Sequence, residues 1–252
     1  MSDDGETTPG DWALFEEPAG FRPPTPPPTE ATHTMENGTH VRLQLVGSHP
    51  LWGHYLWNAA PTLSRFLETH CTCVAGKDVL ELGAASGLPS IVCDKLGARR
   101  VVSTDYPDPD LMKNLAHNLA QNGCTAPRTV AQGYIWGADV TPLLAHAPQG
   151  FDLILMSDLI FNHQAHPALL DTVDRCLAAR PNAQVLVFFS HHRPHLAERD
   201  LSFFPLAEAR HYTYTKLEEW LLSPMFPDDP GDAHVRATVH GYAIRRPGWP
   251  NA

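Results

Sequence analysis

Short apolar runs that alternate with helix-compatible segments dominate the chain from residue 78 to residue 208. Two of the runs, Phe151–Ser157 and Gln184–Ser190, are apolar throughout, as strands buried on both faces are. Strands that alternate with helices form a mostly parallel sheet with helices on both faces. The predicted strands are Asp78–Leu82, Arg100–Thr104, Arg128–Tyr134, Phe151–Ser157 and Gln184–Ser190, and the predicted helices are Leu88–Leu96, Pro109–Asn122, His166–Ala179 and His195–Glu208.

The end of the chain breaks this alternation. Ala209–Leu217 and Arg236–Arg245 both have the pattern of strands, and no full helix separates them. Two such strands predict a terminal antiparallel hairpin. An α/β sheet of seven core strands with that ending is similar to the class I methyltransferase fold. In that Rossmann-like fold the sheet is mostly parallel, the C-terminal hairpin is antiparallel, and helices cover both faces.

The first 37 residues differ in composition from the rest of the chain. They are acidic and then rich in proline, and the run Phe21–Thr29 favours extended polyproline II backbone. The pattern predicts an arm over residues 1–37 and one domain over residues 38–252. Inside the arm, the apolar segment Trp12–Pro18 fits either a docking element or a disordered terminus. The elements predicted at the start of the domain are a strand over Val41–Val46 and a helix over Leu51–Leu67.

Composition and charge restrict the functional classes. The chain of 252 residues has 43% hydrophobic and 18% charged residues, which suits one soluble α/β domain. Its formal net charge of −10 disfavours direct nucleic-acid binding and suits a basic partner. No run approaches the roughly 18 apolar residues of a membrane span, and the acidic N-terminus has no apolar signal core. We therefore expect a cytoplasmic monomer without membrane contact, and leave a nuclear location open.

A glycine-rich turn follows the first strand of the alternating series. Gly83 lets the backbone approach a ligand, and Gly87 lets the chain turn tightly into the helix that follows. A nicotinamide dehydrogenase would have glycine in place of Ala85, because its helix terminus receives a pyrophosphate. Glu81 is unfavourable to a pyrophosphate and suits the cationic amino-acid part of S-adenosylmethionine, directly or through water. Asp105, after the next strand, is placed to accept both ribose hydroxyls. The alternative is that Glu81 and Asp105 only cap neighbouring turns.

Two further motifs follow strands on the same side of the sheet. Trp136 follows the third strand of the series, where it either stacks on adenine or covers the sheet edge. Asp158 and Phe161 follow the fourth strand, whose end borders the position of the transferred methyl group. There the carboxylate of Asp158 and the ring face of Phe161 can hold an amine. As purely structural residues, Asp158 would cap the next helix and Phe161 would belong to the core.

Histidine is frequent, with 15 residues, and His163, His191 and His192 follow strands on the cofactor side. Together with Asn162, they predict a polar rim that orients the substrate. A metal site is not predicted, because no carboxylate or cysteine at ligand spacing accompanies these histidines and no His-Glu-x-x-His motif is present. The five cysteines are odd in number and predict free thiols in a reducing compartment rather than a disulfide framework.

Several of these motifs together resemble the seven-β-strand protein lysine methyltransferases. In that group an Asp-x-x-Tyr or Asp-x-x-Phe element after the fourth strand marks the subfamily, and this sequence has Asp158-Leu-Ile-Phe161. A closer resemblance is to the fungal branch that methylates elongation factor 1-alpha at its N-terminal glycine and the adjacent lysine, formerly named nicotinamide N-methyltransferase-like. The matching stretches are Leu14–Pro18, Leu51–Ala60, Leu80–Gly87, Thr104–Asp108, Trp136-Gly137, Ser157–His163, His191–Pro194 and Met225–Pro227.

This resemblance implies roles for individual residues. Asp158 and Phe161 would face the amine of the substrate. Ser86 departs from the glycine or threonine of many relatives, but it is small enough to leave cofactor binding intact. The residues implied to contact S-adenosylmethionine are Trp52 or Trp57, Gly83, Ala84, Ala85, Asp105, Trp136 and Ser157, beside Glu81 from the turn.

The implied reaction is an in-line transfer of the sulfonium methyl group to a neutral amine of elongation factor 1-alpha. A small-molecule enzyme of the nicotinamide N-methyltransferase type is the alternative. It would share the cofactor site and differ at the rim, because a pyridine nitrogen needs no deprotonation and a closed apolar pocket suffices. A non-catalytic adapter that binds partners through Phe21–Thr29 is a third hypothesis. The intact set Glu81, Gly83, Asp105 and Asp158 argues against it.

Overall fold

The structure, a computed structural model, describes residues 26–247. The predicted docking segment Trp12–Pro18 and most of the proline-rich run therefore lie outside the described residues. The strands are β1 Thr29–Thr34, β2 His40–Leu45, β3 Asp78–Leu82, β4 Arg100–Asp105, β5 Thr129–Gly133, β6 Leu153–Ser157, β7 Gln184–Ser190, β8 Thr213–Leu221 and β9 Thr238–Arg245. The helices are α1 Ala59–Thr69, α2 Leu88–Lys95, α3 Pro109–Gln121, α4 Thr141–Leu144, α5 His166–Cys176, α6 Ala197–Leu201, α7 Phe203–Ala209 and α8 Ala233–Ala237.

The central sheet has seven strands in the order β5-β4-β3-β6-β7-β9-β8. The strands from β5 to β7 are parallel, whereas β9 pairs antiparallel with both β7 and β8. This confirms the predicted mostly parallel sheet with a C-terminal antiparallel hairpin. The chain runs from β3 to one edge of the sheet and returns to β6, so the strand order reverses between β3 and β6. Ligands of open α/β sheets bind at such a reversal, beyond the carboxyl ends of the strands.

Two apolar cores cover the two faces of the sheet. Alternate residues of each strand point to opposite faces, so Leu80 and Ile154 pack with α5 and α7, while Val79 and Leu155 pack with α1, α2 and α3. All of these side chains have no measurable exposure. Burial on both faces explains why the central strands are apolar throughout. The packing also holds these strands in place, and with them the polar residues at their carboxyl ends.

A two-stranded antiparallel sheet lies outside the central sheet. Its first strand, β1, falls within the predicted arm and pairs with β2 from Thr29 to Thr34. The strand is mostly polar and exposed, so its sequence has no apolar run that would predict it. Part of the predicted arm, Thr29–Thr34, is therefore a paired strand.

Asn118 of α3 fastens this small sheet to the rest of the fold. The backbone N–H of Gln44 donates to Oδ1 of Asn118 at 2.8 Å. The side-chain Nδ2 of Asn118 donates to the carbonyl oxygens of Gln44 at 2.8 Å and Ser86 at 3.0 Å. One fully buried amide thus connects β2 to the turn that follows β3.

Two predicted helices differ from the structure. The helix predicted over Leu51–Leu67 begins only at Ala59, and residues 51–58 form turns. A proline in a helix interior leaves one carbonyl without a donor and clashes with the preceding turn, so the helix begins where Pro61 falls in the first turn. The predicted helix His195–Glu208 is divided into a 3₁₀ turn, α6 and α7.

Candidate active site

Two adjacent cavities open at the carboxyl ends of β3, β4 and β6. One, of 510 Å³, is lined by residues after all three strands, and we name it the cofactor cavity. The other, of 420 Å³, lies on the side of β7, and we name it the acceptor cavity. Both cavities are lined by the same four residues, which therefore form a shared wall: Trp52, Trp57, Asp158 and Phe161.

The turn after β3 has backbone that favours glycine. Gly83, Ala85 and Gly87 all have positive φ, at 62°, 47° and 78°. A Cβ atom at Gly83 would lie 2.6 Å from Cδ2 of Leu159 and 3.2 Å from Cζ2 of Trp136. A larger residue would have to displace Leu159 and adopt a positive φ, so glycine is favoured at this position. Gly83 and Ala85 both line the cofactor cavity.

Asp105 lies at the end of β4 and lines the cofactor cavity. The N–H groups of Ala85 and Tyr106 donate to its two carboxylate oxygens at 2.6 and 2.7 Å. Burial raises the pKa of Asp105 above its usual range, and these two hydrogen bonds oppose the rise. Each carboxylate oxygen keeps a lone pair for a further donor, so the group can accept a pair of hydroxyls from a ligand.

Glu81 lies below the cofactor cavity and does not line it. Its side chain is 1% exposed, and its Oε2 accepts from the N–H of Ser90 at 3.0 Å and from the hydroxyl of Ser90. Burial raises the pKa of Glu81 to about 8. The structure thus places Glu81 between the turn and α2 rather than against a ligand. Ala84 is also buried, and its N–H donates to the carbonyl of Thr104 at 2.9 Å.

The remaining predicted cofactor residues surround the same cavity. Trp136 lies against the turn at Gly83, and Ser157 lies at the end of β6. Trp52 and Trp57 lie on the shared wall, where the indole N–H of Trp57 donates to the carbonyl of Trp52 at 3.1 Å. The residues of the cavity that the sequence did not predict are mostly apolar, and they include Leu51, Tyr106, Leu111, Ile135 and Leu159.

Asp158 has the most unusual environment of the shared wall. It is 6% exposed and has a positive φ of 52°. Its Oδ1 accepts from the N–H of Ser190 at 3.0 Å and from Nε2 of His192 at 3.1 Å. Its Oδ2 is buried and has no hydrogen-bond partner among residues 26–247. A buried carboxylate oxygen is costly without a donor, so this atom marks a place where a ligand can donate.

His192 lies beside Asp158 on the acceptor side. Burial lowers its pKa, but the charge of Asp158 and the hydrogen bond to it prevail, so the pKa of His192 is raised. Its ring also contacts Trp57, with 4.8 Å between ring centroids. His192 is thus placed to fix the orientation of the Asp158 carboxylate.

The other predicted rim residues have different positions. His163 and His191 do not line the acceptor cavity. Their Nε2 and Nδ1 atoms donate to the two oxygens of Asp200, at 2.6 and 2.7 Å, and Asp200 itself lines the cavity. Asn162 lines the cofactor cavity instead. The two histidines therefore hold a buried carboxylate that sequence reasoning missed.

Aromatic side chains form most of the acceptor cavity. Tyr55 contacts the rings of Phe226 and Trp57, at 5.1 and 5.4 Å between centroids. Phe161 belongs to the shared wall, as its motif predicts. Rings beside carboxylates attract a cation or an amine that becomes cationic. The sequence assigned no role to five residues of this cavity, although the first three lie in stretches that carry the family resemblance: Tyr55, Arg193, Phe226, Asp200 and Asp229.

The described part of the chain offers little for other ligand classes. Between residues 26 and 247, no group of three or more histidine, cysteine, aspartate or glutamate side chains is arranged to hold a metal ion. Within the same range, no helix has the length and hydropathy needed to cross a bilayer. The cysteines of this part of the chain are all free thiols.

Comparison with known proteins identifies the family. A model of the lysine methyltransferase family matches residues 41–210. The protein N-terminal and lysine N-methyltransferase of Schizosaccharomyces pombe is 47% identical over 244 residues, which cover 94% of this chain and 96% of that protein. The protein of the same name from Eremothecium gossypii is 49% identical over 215 residues, 82% of this chain and 80% of that protein.

Solved structures agree at the level of the fold. PH1948 from Pyrococcus horikoshii superposes with a TM-score of 0.56 at 18% identity, over 79% of this chain and 88% of that one. SMU.776, solved with SAH bound, has a TM-score of 0.54 at 14% identity, over 88% of this chain and 57% of that one. Because the family model and the relatives cover most of the sequence, the chain belongs to the lysine methyltransferase family and is an S-adenosylmethionine-dependent N-methyltransferase of the class I fold.

Proposed function

We propose that this chain methylates the N-terminal glycine amine and the adjacent lysine of translation elongation factor 1-alpha. The observation that carries the proposal is Oδ2 of Asp158, a buried acceptor without a partner among the described residues, in a cavity with aromatic walls. An amine can donate a hydrogen bond to this oxygen, and the rings of Trp57 and Phe161 favour the cationic form of the amine. The names of the relatives support both kinds of target amine.

The cofactor cavity fits S-adenosylmethionine by its chemistry. The proposed ribose ligand is Asp105, whose oxygens lie at the cavity edge. Glu81 is proposed to hold α2 against the turn, because its carboxylate is used by Ser90. When bound, the cofactor supplies an electrophilic sulfonium methyl group. The residues proposed to contact it are Trp52, Trp57, Gly83, Ala85, Asp105, Trp136 and Ser157.

Asp158 is the proposed catalytic positioning group for the amine. Ser190 and His192 fix one of its oxygens, so the other has a defined direction. The amine must be neutral to attack. An α-amino group with an ordinary pKa of about 8 loses its proton readily, whereas a lysine near 10.4 must lose it on desolvation. The proton passes to water or to a neighbouring acceptor. Phe161, on the same wall as Asp158, is proposed to contact the amine through its ring.

The acceptor cavity favours a protein terminus over nicotinamide. Its lining includes Asp229 and Arg193, both charged, beside the two buried carboxylates Asp158 and Asp200. A neutral pyridine ring has no use for three carboxylates, whereas a peptide with two amines does. The net charge of −10 also suits a basic partner. We further propose a cytoplasmic monomer that acts on protein and not on nucleic acid.

The test uses the full-length protein, methyl-labelled S-adenosylmethionine and recombinant elongation factor 1-alpha with a free N-terminal glycine. We expect label in the protein substrate, which mass spectrometry should assign to the terminal amine and the next lysine. A substrate with an acetylated N-terminus and arginine in place of that lysine is the matched control. Nicotinamide is assayed in parallel. Label in nicotinamide with none in the elongation factor would overturn the proposal.

A further inference from the structure

The acceptor cavity contains carboxylates at two depths. Asp158 and Asp200 lie in its inner wall, at 6% and 3% exposure, whereas Asp229 is exposed at the mouth. Each oxygen of Asp200 already accepts from a histidine. Two other carboxylates of the cavity have an oxygen that accepts from no residue between 26 and 247: Asp158 at Oδ2, and Asp229, which takes part in no side-chain hydrogen bond or ion pair within that range. One methylated amine needs only one of them.

The loop that carries Asp229 is fixed from several sides. The guanidinium of Arg236, which is 4% exposed, donates to the carbonyl oxygens of Phe226 at 2.5 Å and Pro227 at 3.5 Å. The side chain of Asn58 donates to the carbonyl of Ser223 at 2.8 Å. The loop therefore presents Asp229 beside the Phe226 ring as a formed wall of the cavity.

The Phe226 ring belongs to an aromatic pair that faces the same space. It contacts Tyr55 edge-on at 5.1 Å, and both rings line the acceptor cavity together with Asp229. A carboxylate that shares a cavity wall with aromatic rings is an arrangement that binds an ammonium or a methylated ammonium group. Because Asp158 already serves the reacting amine, this second arrangement is available for a second cation.

We propose that Asp229, Tyr55 and Phe226 form a subsite for the second cation of the substrate. When the α-amine lies at Asp158, the subsite holds the protonated side chain of the adjacent lysine. When that lysine lies at Asp158, the subsite holds the α-amine, which keeps a positive charge after methylation. This inference rests on the proposed function, and it explains how one cavity accepts two neighbouring amines of one peptide.

The test compares two peptides that begin with glycine and differ only in the next residue, lysine or glutamine. The full-length protein and saturating S-adenosylmethionine are used, and mass spectrometry follows methylation of the α-amine. For the unchanged protein, we expect kcat/KM to be about five- to tenfold higher with lysine, the size expected of one partly exposed ion pair with a cation–π contact. In Asp229→Asn, this ratio should fall below about twofold.

Asp228→Asn is the matched control, because Asp228 neighbours Asp229 and does not line the cavity. It should keep the full ratio between the two peptides. Phe226→Leu should reduce the ratio while leaving the carboxylate in place. Binding of S-adenosylhomocysteine, measured by calorimetry, verifies that each variant is folded.

Three outcomes separate the subsite from the proposed function. A ratio that is unchanged in Asp229→Asn would overturn the subsite. A ratio near one in the unchanged protein, with both peptides methylated, would also overturn the subsite and leave the proposed function intact. Methylation of neither peptide nor of intact elongation factor 1-alpha would overturn the proposed function, and the subsite with it.

Discussion

The cofactor cavity and the acceptor cavity are built in different ways. The cofactor cavity takes most of its polar groups from the ends of β3, β4 and β6, three neighbouring strands of one parallel sheet. The acceptor cavity combines Tyr55, Phe161, His192 and Phe226, which come from four loops distant in sequence. The first cavity follows from the order of the strands, whereas the second depends on how loops pack on one another.

This difference assigns different physical tasks to the two regions. In the cofactor cavity, backbone shape matters most, since Gly83 and Ala85 line it with positive φ. In the acceptor cavity, side-chain charge matters most, since its carboxylates are proposed to attract and orient an amine. Substitutions should therefore separate cofactor affinity from turnover, and the four below are ordered from the largest expected effect to the smallest.

Asp158→Asn should abolish most of the turnover. Asparagine tolerates the positive φ at this position, but it replaces a charged acceptor with a neutral group. We expect kcat to fall about 100-fold or more, while the affinity for S-adenosylhomocysteine changes by less than about threefold. Steady-state kinetics and calorimetry measure the two quantities. A kcat within threefold of the unchanged protein would remove Asp158 from the proposed role.

Asp105→Asn should have the opposite signature. The amide group cannot accept from both Ala85 and Tyr106, so one of these N–H groups loses its partner and the ribose loses a charged acceptor. Hydrogen bonds to charged groups contribute about 1.5–3 kcal/mol, so we expect the cofactor dissociation constant to rise about 10- to 100-fold. At saturating cofactor, kcat should change little. A loss of kcat without a loss of affinity would contradict the division between the cavities.

Glu81→Gln should change the pH dependence of stability. The pKa of Glu81 is raised to about 8 by burial, so the folded state binds a proton that the unfolded state has released. The free energy of unfolding should therefore fall as pH rises from the ordinary glutamate value toward 8, by about 2 kcal/mol between pH 6 and 8.

Urea unfolding at pH 6, 7, 8 and 9 measures this prediction. The Gln variant should lose less stability than the unchanged protein up to pH 8, and the two profiles should run parallel above it. Profiles that are parallel from pH 6 onward would contradict the buried, protonated state of Glu81. Cofactor affinity should change little, because Glu81 does not line the cavity.

His192→Gln should have the smallest effect. Burial lowers the pKa of His192. The charge of Asp158 and the hydrogen bond to that carboxylate raise the pKa by more than burial lowers it, so the folded state favours the protonated ring. Its stabilising contribution is present below the ordinary histidine pKa and disappears as pH rises through the raised value. We expect the variant to lose about 1 kcal/mol of this pH-dependent stability. Equal losses at pH 5.5 and pH 8.5 would contradict the ion pair.

The two cavities also differ in how well the sequence predicts them. The five parallel strands of the central sheet were predicted from their apolar runs, and β7 was predicted residue for residue. The mostly exposed strand β8 was predicted over Ala209–Leu217 and spans Thr213–Leu221. The turn at Gly83 and the carboxylate of Asp105 were found from local patterns at the ends of strands. Strand β1 was missed because its exposed residues are polar, and tertiary pairing alone makes it a strand.

The acceptor cavity was only partly predictable, because its residues meet through long-range packing. Asp158 and Phe161 were found from one short motif after a strand. Asp200 carries no local signal, since its position depends on His163 and His191 from two other segments. Histidines that were predicted to orient substrate therefore act on a carboxylate instead.

The hydrogen bonds of Asn118 have a consequence for cooperativity. One amide connects Gln44 of β2 to Ser86 in the cofactor turn, so detachment of the outer two-stranded sheet breaks bonds to the side chain that also holds that turn. A ligand that orders the turn should therefore raise the free energy of local opening of β1 and β2 by linkage. Amide hydrogen exchange in Thr29–Leu45 should slow when S-adenosylhomocysteine binds, although none of these residues lines the cofactor cavity.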